Sequence, residues 1–274
     1  MRLVCVFEPG KNGFELREFH SVQSLEADLV FFAFAVPAVV FAGVSKGGFG
    51  SGAAFASASI LALIIEPGQA LALMLPLLML IDVAALRPYW RRWSSKEAAV
   101  LILGGIPGVA LGAWLFSALD ADAMRLMIGT LSVAFVIWQM RGHLGFSLQA
   151  GRVLPGWAGA LAGGVGGFTS FVSHAGGPPV AVYLLSKKPS KTEYQATTVL
   201  VFWVLNLAKA IPYAGLGLFS IETLRLDLLL APFALLGTWL GVRLHHSIPE
   251  RLFFAVAYVL LTLTGVKLIW DGLT

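Results

Sequence analysis

Charge is scarce in this chain. Charged residues make up 12% of its 274 positions, against about 25% in soluble domains, while hydrophobic residues make up 58%. That balance excludes an ordinary soluble globule and points to a polytopic membrane protein. Cysteine is nearly absent. The single Cys5 excludes an intrachain disulfide, a cysteine metal site and a redox pair. The histidines show no metal-ligand spacing beyond the adjacent His245 and His246, so no metal is expected. No Walker motif, nucleophile elbow, His/Glu metal cluster or nucleic-acid motif appears. Those absences argue against an enzyme, a cofactor and a nucleic-acid partner. The opening MRLVCVFEPG is too short and acidic-flanked for a secretory signal. Residues 1–27 read instead as an N-terminal extension, a surface strand or an amphipathic piece.

Long apolar runs are plentiful. Five fall in each half, at about 29–45, 52–65, 69–87, 98–118 and 123–140, then 154–168, 178–186, 193–211, 227–244 and 251–270. A spanning helix needs roughly 17–25 apolar residues. The second run of each half is too short to span unaided and suits a half-membrane helix or a re-entrant hairpin.

The halves repeat. Residues 82–89, DVAALRPY, align without a gap on 206–213, NLAKAIPY, an offset of 124. Pro107 and the run 111–115, LGAWL, align on Pro232 and 236–240, LGTWL, an offset of 125. Gly47-Gly48-Phe49 resembles Gly166-Gly167-Phe168 at an offset of 119, which implies an insertion in the second loop. The chain therefore divides into an extension at 1–27, a first membrane repeat at 28–141 and a second at 153–272.

Charge placement orients the repeats. The third connection holds Arg87, Arg91, Arg92 and Lys96, and the seventh Lys187, Lys188 and Lys191; the fifth and ninth are also basic. The even connections hold Glu66, then Asp120, Asp122 and Arg125, then Glu222, Arg225 and Asp227. Basic residues collect on the cytoplasmic side, so odd connections are expected inside and both termini outside. Five segments per repeat is an odd number, which makes the repeats inverted. The expected fold class is an all-α polytopic membrane protein of two inverted repeats, with short or broken helices at the centre. A homodimer is compatible with it.

Two glycine-broken stretches occupy corresponding places, GVSKGGFGSG at 43–52 and GGVGGFTSFVSHAGG at 163–177. Paired interruptions of apolar segments mark a transporter's substrate site. Gly47, Gly48, Gly50, Gly52, Gly166 and Gly167 would let backbone approach a ligand. A helix beginning near Gly52 would present its positive end. Ser45, Ser51, Thr169, Ser170 and Ser173 add hydroxyls, and Lys46 and His174 add cations. The inventory suits a small oxyanion; the bland alternative is tight helix packing by small residues.

Other polar residues divide between function and structure. Asp82, deep in its segment, is a candidate coupling residue because intramembrane carboxylates are functional by default; an interhelical hydrogen bond or ion pair weighs equally. Asn206 is its repeat mate and a candidate anion donor. Lys209 reads as a lysine that extends to the outer surface. Gln69 and Gln195 read as interfacial, Tyr89, Trp90, Trp93 and Tyr213 as aromatic belts, and Glu193 after Ser190 as capping.

The glycine loops and the Asp82–Pro88 and Asn206–Pro212 segments resemble the TauE/SafE family of sulfite and organosulfonate exporters, within the toluene-sulfonate uptake permease superfamily. The resemblance covers about 29–270. It implies a multi-pass carrier of the bacterial inner membrane that exports a small sulfur oxyanion or sulfonate. Import of a sulfonate, with Asp82 carrying protons, and an anion channel are the competing readings. The bilayer and a small anion are the expected partners.

Overall fold

A computed structural model describes residues 3–7, 14–18, 29–50, 54–143, 153–244 and 250–274. Two strands, β1 (Leu3–Phe7) and β2 (Phe14–Glu18), pair antiparallel, with Leu3 opposite Glu18 and Phe7 opposite Phe14. Everything else in regular structure is helical. The order is α1 (Leu29–Val44) running into a π-helical turn (Ser45–Phe49), α2 (Ala56–Leu61), α3 (Pro67–Leu86), α4 (Ser95–Phe116), α5 (Ala121–His143), α6 (Gly156–Ser173), α7 (Gly177–Ser186), α8 (Lys191–Gly215), α9 (Ile221–Leu244) and α10 (Glu250–Leu273).

Helix is what a bilayer demands of such segments, because lipid offers no partner for backbone N–H and C=O groups. Among the described residues, seven helices are long and apolar enough to cross a membrane: α1 with its π-turn, α3, α4, α5, α8, α9 and α10. Their boundaries have local causes. Pro67 opens α3 at a position where its missing N–H costs nothing. Ser190 caps α8, its Oγ accepting from the Glu193 N–H at 3.1 Å. Large apolar side chains such as Leu103, Trp114, Ile211 and Leu228 point outward, each at least 70% exposed. A bilayer around the bundle would cover them.

The principal helix contacts map onto one another when the halves are exchanged. α4 packs on α6 as α9 packs on α1, and α3 packs on α9 as α8 packs on α4. α5 pairs with α10, and α3 with α8. The repeat mates α3 and α8 run antiparallel. Near the start of α8, Thr197 Oγ1 accepts from the Ser94 N–H just beyond the end of α3, at 3.0 Å. At the other end, Leu218 lies beside Gly68. The third and seventh connections thus share one end of the bundle, where Lys187 and Glu97 approach to 3.7 Å. Glu66 and Arg125, from the second and fourth, lie near enough to interact electrostatically at the other.

Glycine makes the two long seams possible. A Cβ on Gly104 would sit 2.1 Å from the Ala160 carbonyl oxygen, and one on Gly108 2.0 Å from that of Gly164. Across α1 and α9, a Cβ on Gly237 would sit 2.4 Å from the Val40 oxygen and one on Gly241 2.5 Å from that of Val44. Small residues let membrane helices approach to backbone contact.

The second glycine stretch does not break where the sequence suggests. α6 runs unbroken through Gly163, Gly164, Gly166 and Gly167 to Ser173. These glycines face neighbouring backbone, and helical hydrogen bonding continues through them. The break comes at His174, whose φ of 56° is left-handed; the first break comes at Gly50, φ 81°. Those positions are 124 apart. The Tyr89 hydroxyl donates to the Gly47 carbonyl at 2.9 Å, and the Tyr213 hydroxyl to the Phe171 carbonyl at 2.7 Å; both acceptors and both donors are again 124 apart. The expected insertion is therefore absent. Gly47 corresponds to Phe171, Lys46 to Ser170 and Gly50 to His174.

Candidate functional site

The two helix breaks meet the middle of α3 and α8. Asp82 and Asn206 are repeat mates, and they touch: Asn206 Nδ2 donates to Asp82 Oδ2 at 2.7 Å. Asp82 Oδ1 lies 2.5 Å from the Lys46 ammonium, brought there by the π-turn. From the second break, His174 turns toward α8. Lys209 Nζ donates to the Ser170 carbonyl at 3.0 Å and Ser170 Oγ at 3.1 Å, and lies 2.7 Å from His174 Nδ1. His174 Nε2 lies 3.1 Å from the Leu71 carbonyl oxygen. All these side chains are buried, Asp82 and Lys209 completely.

A cavity of about 10 Å³ opens among them, lined by Lys46, Ala54, Leu78, Ser170, His174, Phe202 and Asn206. That is room for about one water. Two lysines and one aspartate gather here: Lys46 lines the cavity, and Asp82 and Lys209 stand directly behind it, bonded to lining residues. The Asp82 carboxylate is neutralised by Lys46, so the formal balance of the three is one positive charge. A buried charge without a counterion is expensive, and an anion is the ligand that would offset it. Among the described residues no group of three or more His, Cys, Asp or Glu could hold a metal ion.

The structure brings Lys46, Ser170, His174 and Asn206 onto one cavity wall and places Asp82 directly behind it. It uses the other candidates differently. A Cβ on Gly47 would meet the Thr238 carbonyl oxygen at 2.6 Å, one on Gly48 the Gly241 oxygen at 2.3 Å, and one on Gly167 the Gly105 oxygen at 2.1 Å. Gly166 lies against Val180 and Gly176. These four are seams between helices. Gly50 lies against the Tyr194 ring. Ser45 Oγ donates to the Gly50 carbonyl at 3.1 Å, Thr169 Oγ1 to the Val165 carbonyl at 2.8 Å, and Ser173 Oγ to the Thr169 carbonyl at 3.0 Å. Thr169 and Ser173 thus bond back one turn within α6, and Thr169 Oγ1 also donates to the Ala175 carbonyl just past the second break, as Ser45 does to that of Gly50 at the first. Ser51 and Gly52 lie outside the described residues. The helix expected from Gly52 starts at Ala56 and is only six residues long.

Three readings are corrected by burial. Lys209 does not extend to a surface; it is enclosed at the centre. Its signal in the sequence is the i, i+3 spacing from Asn206, which puts both on one face of α8. Gln195 is not interfacial: it is buried and donates to the Lys46 carbonyl, holding the π-turn. Tyr89 and Tyr213 are not belt residues but hydrogen-bond to the two broken segments. Burial pushes the Tyr89 hydroxyl up to about 12, so it stays a donor. Asp227, expected in a connection, lies inside α9, buried, with neither oxygen hydrogen-bonded among the described residues.

A cavity of about 90 Å³ lies at the end shared by the third and seventh connections, lined by residues including Glu97, Lys187, Lys188, Tyr194 and Thr197. Tyr194 joins it to Gly50 and hence to the π-turn that carries Lys46.

The family model described as sulfite exporter TauE/SafE matches residues 35–268. The chain is 29% identical over 178 residues to the probable inner membrane transporter protein TsaS of Comamonas testosteroni, covering 65% of this chain and 72% of that protein. No solved structure matches.

Proposed function

The chain belongs to the sulfite exporter TauE/SafE family, and from that premise we propose that it is a secondary transporter of the bacterial inner membrane that exports a small sulfur oxyanion or organosulfonate. The relative from Comamonas testosteroni, by its name an inner membrane transporter, supports the location. The observation that carries the substrate class is the buried centre: Lys46, Ser170, His174 and Asn206 on the wall of one small cavity, with Lys209 and the already paired Asp82 directly behind it. Such a wall favours an anion and offers oxygen ligands chiefly hydrogen-bond donors. Antiparallel repeat mates whose side chains touch at that centre fit inverted repeats that alternate access to it. A sulfur oxyanion is larger than the cavity, so the walls must part to admit it. An inside-negative potential drives an anion outward by about 2.3 kcal/mol per elementary charge per 100 mV, which supplies a direction without a second ion.

The test is flux of radiolabelled sulfite and of a sulfonate in proteoliposomes, with pH and voltage set independently. Saturable flux with counterflow is expected, that of doubly charged sulfite driven toward the positive side. Ohmic single-channel currents would make the protein a channel. Accumulation against the potential would make it an importer, and no flux of either anion would overturn the substrate class.

A further inference from the structure

The contact between Lys209 and His174 has a consequence for protons. Leu71 offers a carbonyl oxygen, which only accepts, so His174 Nε2 carries a hydrogen. That leaves Nδ1 facing Lys209 Nζ at 2.7 Å. Two donors cannot share that distance, so one nitrogen donates and the other accepts. With one proton on the pair, either Lys209 is an ammonium donating to a neutral ring, or the ring is an imidazolium donating to an amine. The other partners of Lys209, the Ser170 carbonyl and hydroxyl, are satisfied in both arrangements. The two forms differ by one proton moved along one hydrogen bond, with no heavy atom displaced.

We infer that Lys209 and His174 hold a single proton between them while the cavity is empty, and that an anion entering the cavity recruits a second. This rests on the anion-transport reading above. An anion oxygen placed between the two nitrogens gives each its own acceptor. Both can then be cationic donors, Lys209 through Nζ and His174 through Nδ1. The proton comes from water at whichever face the cavity opens to, so doubly charged sulfite moves with one proton and keeps one net negative charge for the potential to drive, while a monovalent sulfonate moves without net charge. The charged and titratable groups facing the pair are Lys46 from the π-turn, Asp82 from α3, and Tyr213 from α8. Asp82 is committed to Lys46 and Asn206, and Tyr213 to the Phe171 carbonyl. The pair, not Asp82, is therefore the place where anion and proton meet.

Methanesulfonate is the probe, because its charge does not change between neutral and mildly acidic pH. Its binding to the purified full chain is followed by calorimetry in two buffers of different protonation enthalpy. About one proton taken up per anion is expected, with affinity falling up to about ten-fold per pH unit as pH rises. His174→Gln, which can still accept from Lys209 and donate to Leu71, should bind with no proton uptake and a flat pH profile. A merely structural histidine would leave the proton count unchanged. Binding without proton uptake in the natural chain, or uptake that survives in His174→Gln, overturns the inference and leaves the transporter reading standing. Should the variant not fold, ¹⁵N spectra of the natural chain decide: a ring protonated on Nδ1 alone overturns it. Failure to bind either methanesulfonate or sulfite overturns both.

Discussion

Removing the Lys46 ammonium tests the site most directly. Lys46→Met leaves the Asp82 carboxylate completely buried with only the Asn206 amide for company. A unit-charge pair at the observed 2.5 Å attracts by about 7 kcal/mol at an effective dielectric of about 20. Desolvation of both ions offsets most of that, so the pair is close to neutral against uncharged replacements. Breaking it from one side is different, because one bare charge stays buried; the expected loss is about 3–5 kcal/mol. Asp82→Asn should cost a similar amount by stranding Lys46. The double variant, Lys46→Met with Asp82→Asn, strands no charge and keeps the hydrogen bond from Asn206. It should be more stable than either single variant, which requires a coupling larger than each single loss, above about 3–5 kcal/mol. The assay is reversible unfolding in mixed micelles for all four proteins, with anion flux in proteoliposomes alongside. Flux should stay lost in the double variant, since the cavity wall has lost its ammonium. Additive stabilities, with coupling below about 0.5 kcal/mol, would refute the ion pair. Full flux in the double variant would refute Lys46 as an anion ligand.

The glycine seams predict where size is forbidden. Gly48→Ala and Gly167→Ala each place a Cβ within 2.3 Å of a backbone oxygen and should cost about 1–3 kcal/mol or more by overpacking, whereas Gly156→Ala meets nothing within 4 Å and should be neutral or stabilising; thermal melting in detergent separates them, and equal melting points would contradict the seams. Tyr213→Phe strands the Phe171 carbonyl and should cost about 1–3 kcal/mol, a loss that Tyr89→Phe should match at the equivalent carbonyl of Gly47. Charge parity predicts that cysteines introduced at Ser95 and Ser190, in a chain with Cys5 replaced, are tagged from the cytoplasm and one at Ser117 from outside. Tagging of Ser95 from outside in intact cells would reverse the orientation.

Much of the architecture is legible in the residues, because a bilayer leaves the chain few choices. Low charge and long apolar runs impose helices, and helix ends follow from Pro67 and Ser190 within a residue or two. The pairing of Asp82 with Asn206 is visible as a repeat at an offset of 124, since duplicated helices keep their spacing. Lys46, Ser170, His174 and Asn206 could be gathered as candidates because polar groups in apolar segments are costly and therefore few. The limits are equally physical. Glycine serves both a backbone break and a close helix contact, and the string of letters is the same for both; only the positions of the Thr238, Gly241 and Gly105 oxygens assign Gly47, Gly48 and Gly167 to packing. The offset of the breaks could not be read from glycines that align by chance. It emerged from two tyrosine hydrogen bonds and two left-handed residues. Lys209 looked like a surface lysine because its depth depends on which face of α8 turns inward, and that depends on α3 and α4 packing against it. Contact between residues as distant as Lys46 and Asp82, or Ser170 and Lys209, is a property of the assembled helices. No local pattern specifies it, and it decides which polar groups neutralise one another and which remain to receive an anion.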